Sequence, residues 1–311
     1  MTKSNTRATA DVAHVVGRKN LIINGGFDVW QRGTSLTLSG SNKYSADRWK
    51  AHMWNSSWGD TSATFEKVEV EGLNALKVTG SSDLRFFYFH QLIEDARILR
   101  GKEVTVSFYA KVDSGSVSAN PRLVARPSNT ATPSTSLTVG TLWEKHEATF
   151  VMPTHTDAGS DSSTMLYIFE GVDFRNKVFY ISNVQLELGS VATEFEHRSY
   201  GEELALCSRY YQEIGEGHNT GYRFTQRSTS QYPKHYSAVY DLPVAMRTYP
   251  TASATYIDFH KPGRVYDAIT SLTLTVKSNS MVLVDLDVAT VHSDLVTGEI
   301  REFTAYLDAE L

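Results

Sequence analysis

Glu103-Val104-Thr105-Val106-Ser107-Phe108-Tyr109-Ala110-Lys111-Val112 is the stretch whose reading decides the fold. Successive strand residues point to opposite faces, so Val104, Val106, Phe108 and Ala110 share one side while Thr105, Ser107 and Tyr109 share the other. The pattern predicts a strand with one core face and one half-wet face. Outward from it, short β-branched and aromatic runs recur between Gly, Ser, Asn and Asp clusters. They cover Thr64–Val70, Ala75–Thr79, Arg85–Leu92, Arg122–Ala125, Trp143–Met152, Thr164–Glu170 and Val178–Leu188. Strands at this spacing predict a sandwich or barrel.

Ser199–Ile214 reads differently. Ser199 with Glu202 three residues later forms a capping-box signal, and Leu204, Ala205, Cys207 and Tyr211 follow at helical spacing up to Gly215. Beyond it strands return at Tyr222–Gln226, His235–Leu242, Ala252–Ile257, Leu272–Lys277, Val282–Val291 and Ile300–Leu307. The 311 residues suit two units of ordinary size. The expected organisation is mainly β: an N-terminal arm over residues 1–19, a jelly-roll β-sandwich over 20–199, one connecting helix over 200–215 near a boundary at Tyr200, and a small C-terminal β-rich domain over 216–311.

Composition narrows the function classes. The chain is 41% hydrophobic and 21% charged with net charge −5, enough apolar material for a core without the charge excess of disorder. Thirty basic against 35 acidic side chains argue against nucleic acid as a partner. No apolar run approaches the length of a membrane span, and the polar first residues hold no signal-peptide core. The single cysteine, Cys207, excludes an intramolecular disulfide and is expected to be buried on the helix.

The wording of several blocks resembles a family of bacteriophage tail and tail-fibre proteins. The opening block is Asn20-Leu21-Ile22-Ile23-Asn24-Gly25-Gly26-Phe27-Asp28-Val29-Trp30-Gln31-Arg32-Gly33, followed by Tyr44-Ser45-Ala46-Asp47-Arg48-Trp49. Later blocks include Gln91-Leu92-Ile93-Glu94-Asp95, Leu99-Arg100-Gly101-Lys102, Val184–Glu196, Glu202–Tyr211, Pro243–Arg247 and the closing Ala309-Glu310-Leu311. The resemblance implies a carbohydrate-binding-module-like jelly roll in the first unit. It also implies a homotrimer in the virion tail, assembled in the host cytoplasm, with the arm docking onto other tail proteins and host surface glycan or receptor as the external partner. Asp28 and Asn183, in first and last strands, stand where related sugar-binding modules hold a structural calcium, although no clustered calcium loop is visible here. No other cofactor is expected.

Four of the five tryptophans, Trp30, Trp49, Trp54 and Trp58, precede the aromatic run Phe86-Phe87-Tyr88-Phe89. Sugar rings stack their C–H faces on aromatics, and Arg85, Asn55 and Gln91 are candidates to meet the hydroxyls. Trp30 and Trp49 are read as core. For Trp54 and Trp58, set among Asn, Ser and Gly, core packing and glycan binding both stand open. The aromatic pair Tyr210 and Tyr211 is the candidate trimer contact. Catalysis is not expected: the adjacent Glu94 and Asp95 face opposite sides of a strand, and no G-x-S-x-G, H-E-x-x-H or P-loop occurs. The competing readings are a tail-associated polysaccharide depolymerase, with carboxylates such as Asp60, Glu66 or Asp241 drawn from distant segments, and a structural adaptor without receptor contact.

Overall fold

A computed structural model describes residues 18–94, 99–126, 129–152, 163–214, 222–226, 235–260, 269–288 and 297–310. The chain divides into two units, Met1–Glu203 and Leu204–Leu311. The body of the N-terminal arm, residues 1–17, and Gly215 lie outside the described residues. The arm ends sooner than residue 19. Arg18 already pairs with Glu202 at 2.8 Å, and Lys19 donates to the Thr193 hydroxyl at 2.8 Å.

The first unit contains β1 (Ser35–Tyr44), β2 (Lys50–Trp54), β3 (Ser62–Val70), β4 (Leu73–Gly80), β5 (Phe86–Ile93), β6 (Glu103–Val112), β7 (Val117–Ala119), β8 (Arg122–Ala125), β9 (Thr130–Ala131), β10 (Leu137–Val139), β11 (Glu144–Val151), β12 (Thr164–Val172) and β13 (Val178–Leu188). Hydrogen bonding runs β11-β6-β13-β4-β3-β1-β2-β5-β12-β8-β9, with β10 and β7 as a separate pair. β1 joins the two layers of the jelly roll. Its first half, Ser35–Ser39, pairs with β3, and its second half, from Gly40, pairs with β2. The change of sheet coincides with a register shift and with left-handed backbone at Gly40 and Asn42, the local twist that lets one strand serve both layers.

The alternation in β6 is borne out on its core side, where Val104, Val106, Phe108 and Ala110 are fully buried. The other side is drier than expected, with Thr105 and Ser107 also buried. The segment after β13 explains this. The Thr105 hydroxyl donates to the Gly189 carbonyl at 2.8 Å, and Thr193 binds the Glu187 carboxylate through both backbone N–H and hydroxyl at 2.8 Å. Between the layers Phe65, Phe87, Phe89, Phe108, Phe169 and Phe179 form the centre of the core.

The opening block of the sequence earns its form by lacing into β13. Leu21 N–H donates to the Leu186 carbonyl at 2.9 Å, the Asn20 side chain bridges Val184 and Leu186, and Val184 N–H donates to the Gly25 carbonyl at 2.9 Å. A Cβ at Gly25 would collide with the Val184 carbonyl oxygen, so this close approach admits only glycine. The buried Arg198 donates to the Ile22 carbonyl at 2.9 Å and to the Asn20 carbonyl at 2.5 Å, closing the same seam.

The helix, α1, spans Tyr200–Ser208. Its capping box forms as read: Glu202 N–H donates to the Ser199 hydroxyl at 3.3 Å, and Ser199 N–H donates to the Glu202 carboxylate at 3.1 Å. It is shorter than the expected 200–215. Tyr211–Ile214 is instead strand β14, pairing antiparallel with the chain's last strand from Tyr211 opposite Asp308. A long-range ladder outcompetes local helical periodicity there, as tertiary context often does. Tyr210 and Tyr211 are consequently buried, and the Tyr211 ring packs 6.3 Å from Tyr306. Both are committed inside the protomer, and the expected trimer contact through them is corrected.

The second unit continues with β15 (Tyr222–Gln226), β16 (His235–Asp241), β17 (Thr251–His260), β18 (Ile269–Ser278), β19 (Met281–Val288) and β20 (Thr297–Asp308). The sheet order is β14-β20-β15-β16-β19-β18, with β17 also pairing β20. Cys207, Met246, Val282 and Leu307 are buried, as expected for Cys207. Among the described residues no helix is long and apolar enough to cross a membrane.

Candidate functional site

β2, β5 and β12 lie side by side, and their alternation divides the aromatics of the first unit into two sets. Ala51, Met53, Phe87 and Phe89 point into the core. His52, Trp54, Phe86, Tyr88, His90 and Tyr167 take the opposite face. The register makes cross-strand rows of them, with Trp54 opposite Phe86, His52 opposite Tyr88, and His90 opposite Tyr167.

These side chains and Trp58 form one continuous array of rings, with His90 buried beneath the exposed and half-exposed ones. Trp58 stacks on Phe86 at 4.4 Å with planes 5° apart and lies 6.0 Å from Trp54. Trp54 packs edge-on to Tyr88 at 5.4 Å, and Tyr88 meets Tyr167 at 6.4 Å. Tyr167 lies 4.8 Å from His90, whose ring stacks on His52 at 5.2 Å, and His52 returns to Trp54 at 5.6 Å. Such an array offers stacking area for apolar C–H faces with phenol and imidazole groups among the rings.

Trp58 is 63% exposed and its backbone is left-handed, φ 60°, a conformation uncommon for a bulky residue. Asn55 holds that turn. Its side-chain oxygen accepts from Ser57 N–H at 2.9 Å and Gly59 N–H at 3.0 Å, and its carbonyl accepts from Trp58 N–H at 3.1 Å. Asn55 is therefore a positioning residue for Trp58, its amide oxygen already engaged. Polar groups border the rings at the β8–β12 side, where Arg122 pairs with Glu170 at 2.7 Å and Asn120 receives the Glu170 N–H at 2.8 Å.

The electrostatics keep the rings uncharged near neutral pH. Burial, with Lys50 nearby, pulls the His52 imidazole down to about 4, and burial aided by His52, Lys50 and Arg126 pulls His90 down to about 3. Burial and then Glu170 raise the phenols of Tyr88 and Tyr167, so both stay protonated donors. In the unfolded chain a histidine titrates near about 6.5. Stability is therefore fully present above that pH and falls as acidification loads protons onto the unfolded state alone, down to pH 3–4. Urea midpoints at pH 7, 5.5 and 4.5 are expected to decline, with a slope from His90 approaching about 1.4 kcal/mol per pH unit. His90→Phe should flatten the profile; equal slopes in both proteins would refute the assignment.

Of the other residues singled out in the sequence, Arg85 is ion-paired with Asp173 at the start of β5. Gln91 departs from the expected binding role. Its side chain faces the interior, 1% exposed, donating to the Ile23 carbonyl at 2.7 Å and accepting from Ile23 N–H at 2.9 Å. One residue along from His90, strand parity sends it inward. Asp28 accepts from the Asn74 amide at 2.7 Å, and Asn183, left-handed at the β13 bulge, accepts from the Ser182 hydroxyl at 3.3 Å. Among the described residues no group of three or more His, Cys, Asp or Glu is placed to hold a metal. Sequence reading missed His52, His90 and Tyr167. The alternation Lys50-Ala51-His52-Met53-Trp54 carried the signal for the first of them.

Comparison with known proteins bears on this unit. The model of a family described as carbohydrate binding domain matches residues 19–172, a range that contains every ring of the aromatic face. No curated protein matches the chain at a significant level. Among solved structures, one described as "CBM4 structure and function" is 18% identical, covering 53% of this chain and 98% of its own, with a TM-score of 0.33. The CBM22-1 xylan-binding domain from Paenibacillus barcinonensis Xyn10C is 14% identical over 50% of this chain and 95% of its own, at 0.34. The enzymatically active domain of bacteriophage CBA120 tailspike protein 4 is 15% identical over 55% of this chain and 21% of its own, at 0.29. Residues 19–172 of the first unit, with their two β layers, are thus similar to the family described as carbohydrate binding domain.

Proposed function

We propose that this chain is a structural, non-catalytic component of a bacteriophage tail, a fibre or tail-tip protein, whose aromatic face binds host surface glycan during adsorption. The observation that carries glycan binding is the ring surface from Trp58 to Tyr167, set within the residues that match the carbohydrate binding domain family. The tail role is supported by the blocks Asn20–Gly33 and Val184–Glu196, whose resemblance to tail proteins runs through the seam that ties the start of the first unit to β13. A binding rather than hydrolytic role is supported by Glu170, one of the carboxylates near the rings, which is held by Arg122. In this reading three copies associate, the arm docks on a neighbouring tail protein, and weak single sites combine through effective concentration into firm attachment.

Two measurements test the proposal. Light scattering of the purified chain is expected to give the mass of a trimer, and a glycan array is expected to show retention on bacterial surface polysaccharides without release of reducing ends. A stable monomer would remove the multivalent mechanism. Reducing ends released by the protein would replace binding with depolymerisation.

A further inference from the structure

Beyond the rings, the continuations of β5 and β12 border a second feature. Ser82, Asp173, Arg175, Asn176 and Lys177 line an open surface cavity of about 440 Å³. Its walls are the segments before β5 and after β12, laced together by Phe174 N–H to the Leu84 carbonyl at 3.1 Å and Asn176 N–H to the Ser81 carbonyl at 3.1 Å. The lining carries a hydroxyl, an amide, a guanidinium, an ammonium and one carboxylate, with no aliphatic or aromatic side chain. Asp173 is gripped by Arg175 at 2.7 Å and by Arg85. Hydrogen bonds from Arg175, with the charge of Arg85 adding, hold its carboxyl down at about 2. It therefore stays ionised and orients two guanidinium groups. The lining itself carries two cations, Arg175 and Lys177, against the single carboxylate of Asp173, which Arg85 also neutralises from the start of β5.

The cavity adjoins the ring surface along both strands. Arg85 immediately precedes Phe86, on which Trp58 stacks. On the other side Gly171, two residues before Asp173, sits against the Tyr88 hydroxyl, where a Cβ would lie 3.1 Å from the oxygen. We infer that this cavity is an anion subsite that takes a carboxylate or phosphate substituent of a glycan lying along the aromatic face, so the chain selects acidic polysaccharide. The inference rests on the aromatic face being the glycan site and specifies the class of glycan it takes.

The test uses the full chain with four oligosaccharides: oligogalacturonate and its methyl ester, and phosphomannan oligomer and its dephosphorylated form. At low salt the wild type is expected to bind at least one acidic member about tenfold more tightly than its neutral counterpart, a preference that 0.5 M NaCl erodes. The arm showing the preference identifies carboxylate or phosphate. Arg175→Ser with Lys177→Ser, both at the surface, should remove the preference while leaving neutral binding unchanged. A preference absent in both arms, or surviving in the double variant, overturns the subsite. Trp54→Ala separates the two readings. If it abolishes neutral binding while the acidic preference is absent in the wild type, the face stands and the subsite falls. If acidic binding ignores Trp54 but needs Arg175 and Lys177, the subsite stands and the aromatic-face reading falls. No binding by any of the four overturns the subsite.

Discussion

Trp54→Ala is expected to weaken glycan binding by about 2 kcal/mol, roughly thirtyfold, while leaving the fold intact. Trp54 sits at the junction of the ring surface, touching His52, Tyr88 and Trp58. Its removal withdraws a stacking plane and also a support of Trp58. Its neighbours inside the sheet, Met53 and Phe87, are unaffected because they face the core. Isothermal titration with the tightest glycan from the array reads the affinity, and thermal unfolding reads the fold. An unchanged affinity would move the site off this face. Trp58→Ala should cost less, because that ring is mostly exposed and stacks on Phe86 alone at close range.

Trp49→Ala should do the opposite. Trp49 is fully buried, stacked on Phe89 at 4.9 Å and tilted against Phe27 at 5.2 Å, and its indole N–H donates to the Asn24 carbonyl at 2.9 Å. Truncation leaves a large cavity and removes one of the two donors to the buried Asn24 carbonyl, which keeps Phe27 N–H at 3.2 Å, at a cost of about 3–5 kcal/mol. That is a large fraction of the stability of an ordinary domain. All five tryptophans lie in the first unit, so their fluorescence in urea reports that unit. The midpoint should fall with little change in slope, and Trp49→Phe should recover part of the loss by refilling the cavity. A midpoint within about 0.5 kcal/mol of wild type would show that the core closes over the site without cost.

These two tryptophans, five positions apart, show how far the sequence reached. Alternation in Glu103–Val112 and Val178–Leu188 placed those strands at their observed bounds, and the Ser199/Glu202 signal located the start of the helix. The burial of Trp30 and Trp49 was legible too, because large aromatics in a compact motif are usually core. The strands Ser35–Tyr44 and Lys50–Trp54 were not legible. One carries a bulge and changes sheets, and the other is short and mixes Lys and His with apolar residues.

The sequence by itself determined the mainly β fold class and the aromatic content of the first unit, because strand periodicity and turn composition are local properties. Tertiary structure alone decided which aromatics became a surface. His52, Tyr88 and Tyr167 come from three strands, and only antiparallel register sets their rings within stacking distance. It also turned Gln91 inward and drew Tyr211 out of the helix into a ladder with the last strand, since pairing partners far apart in sequence decide what local propensity leaves open.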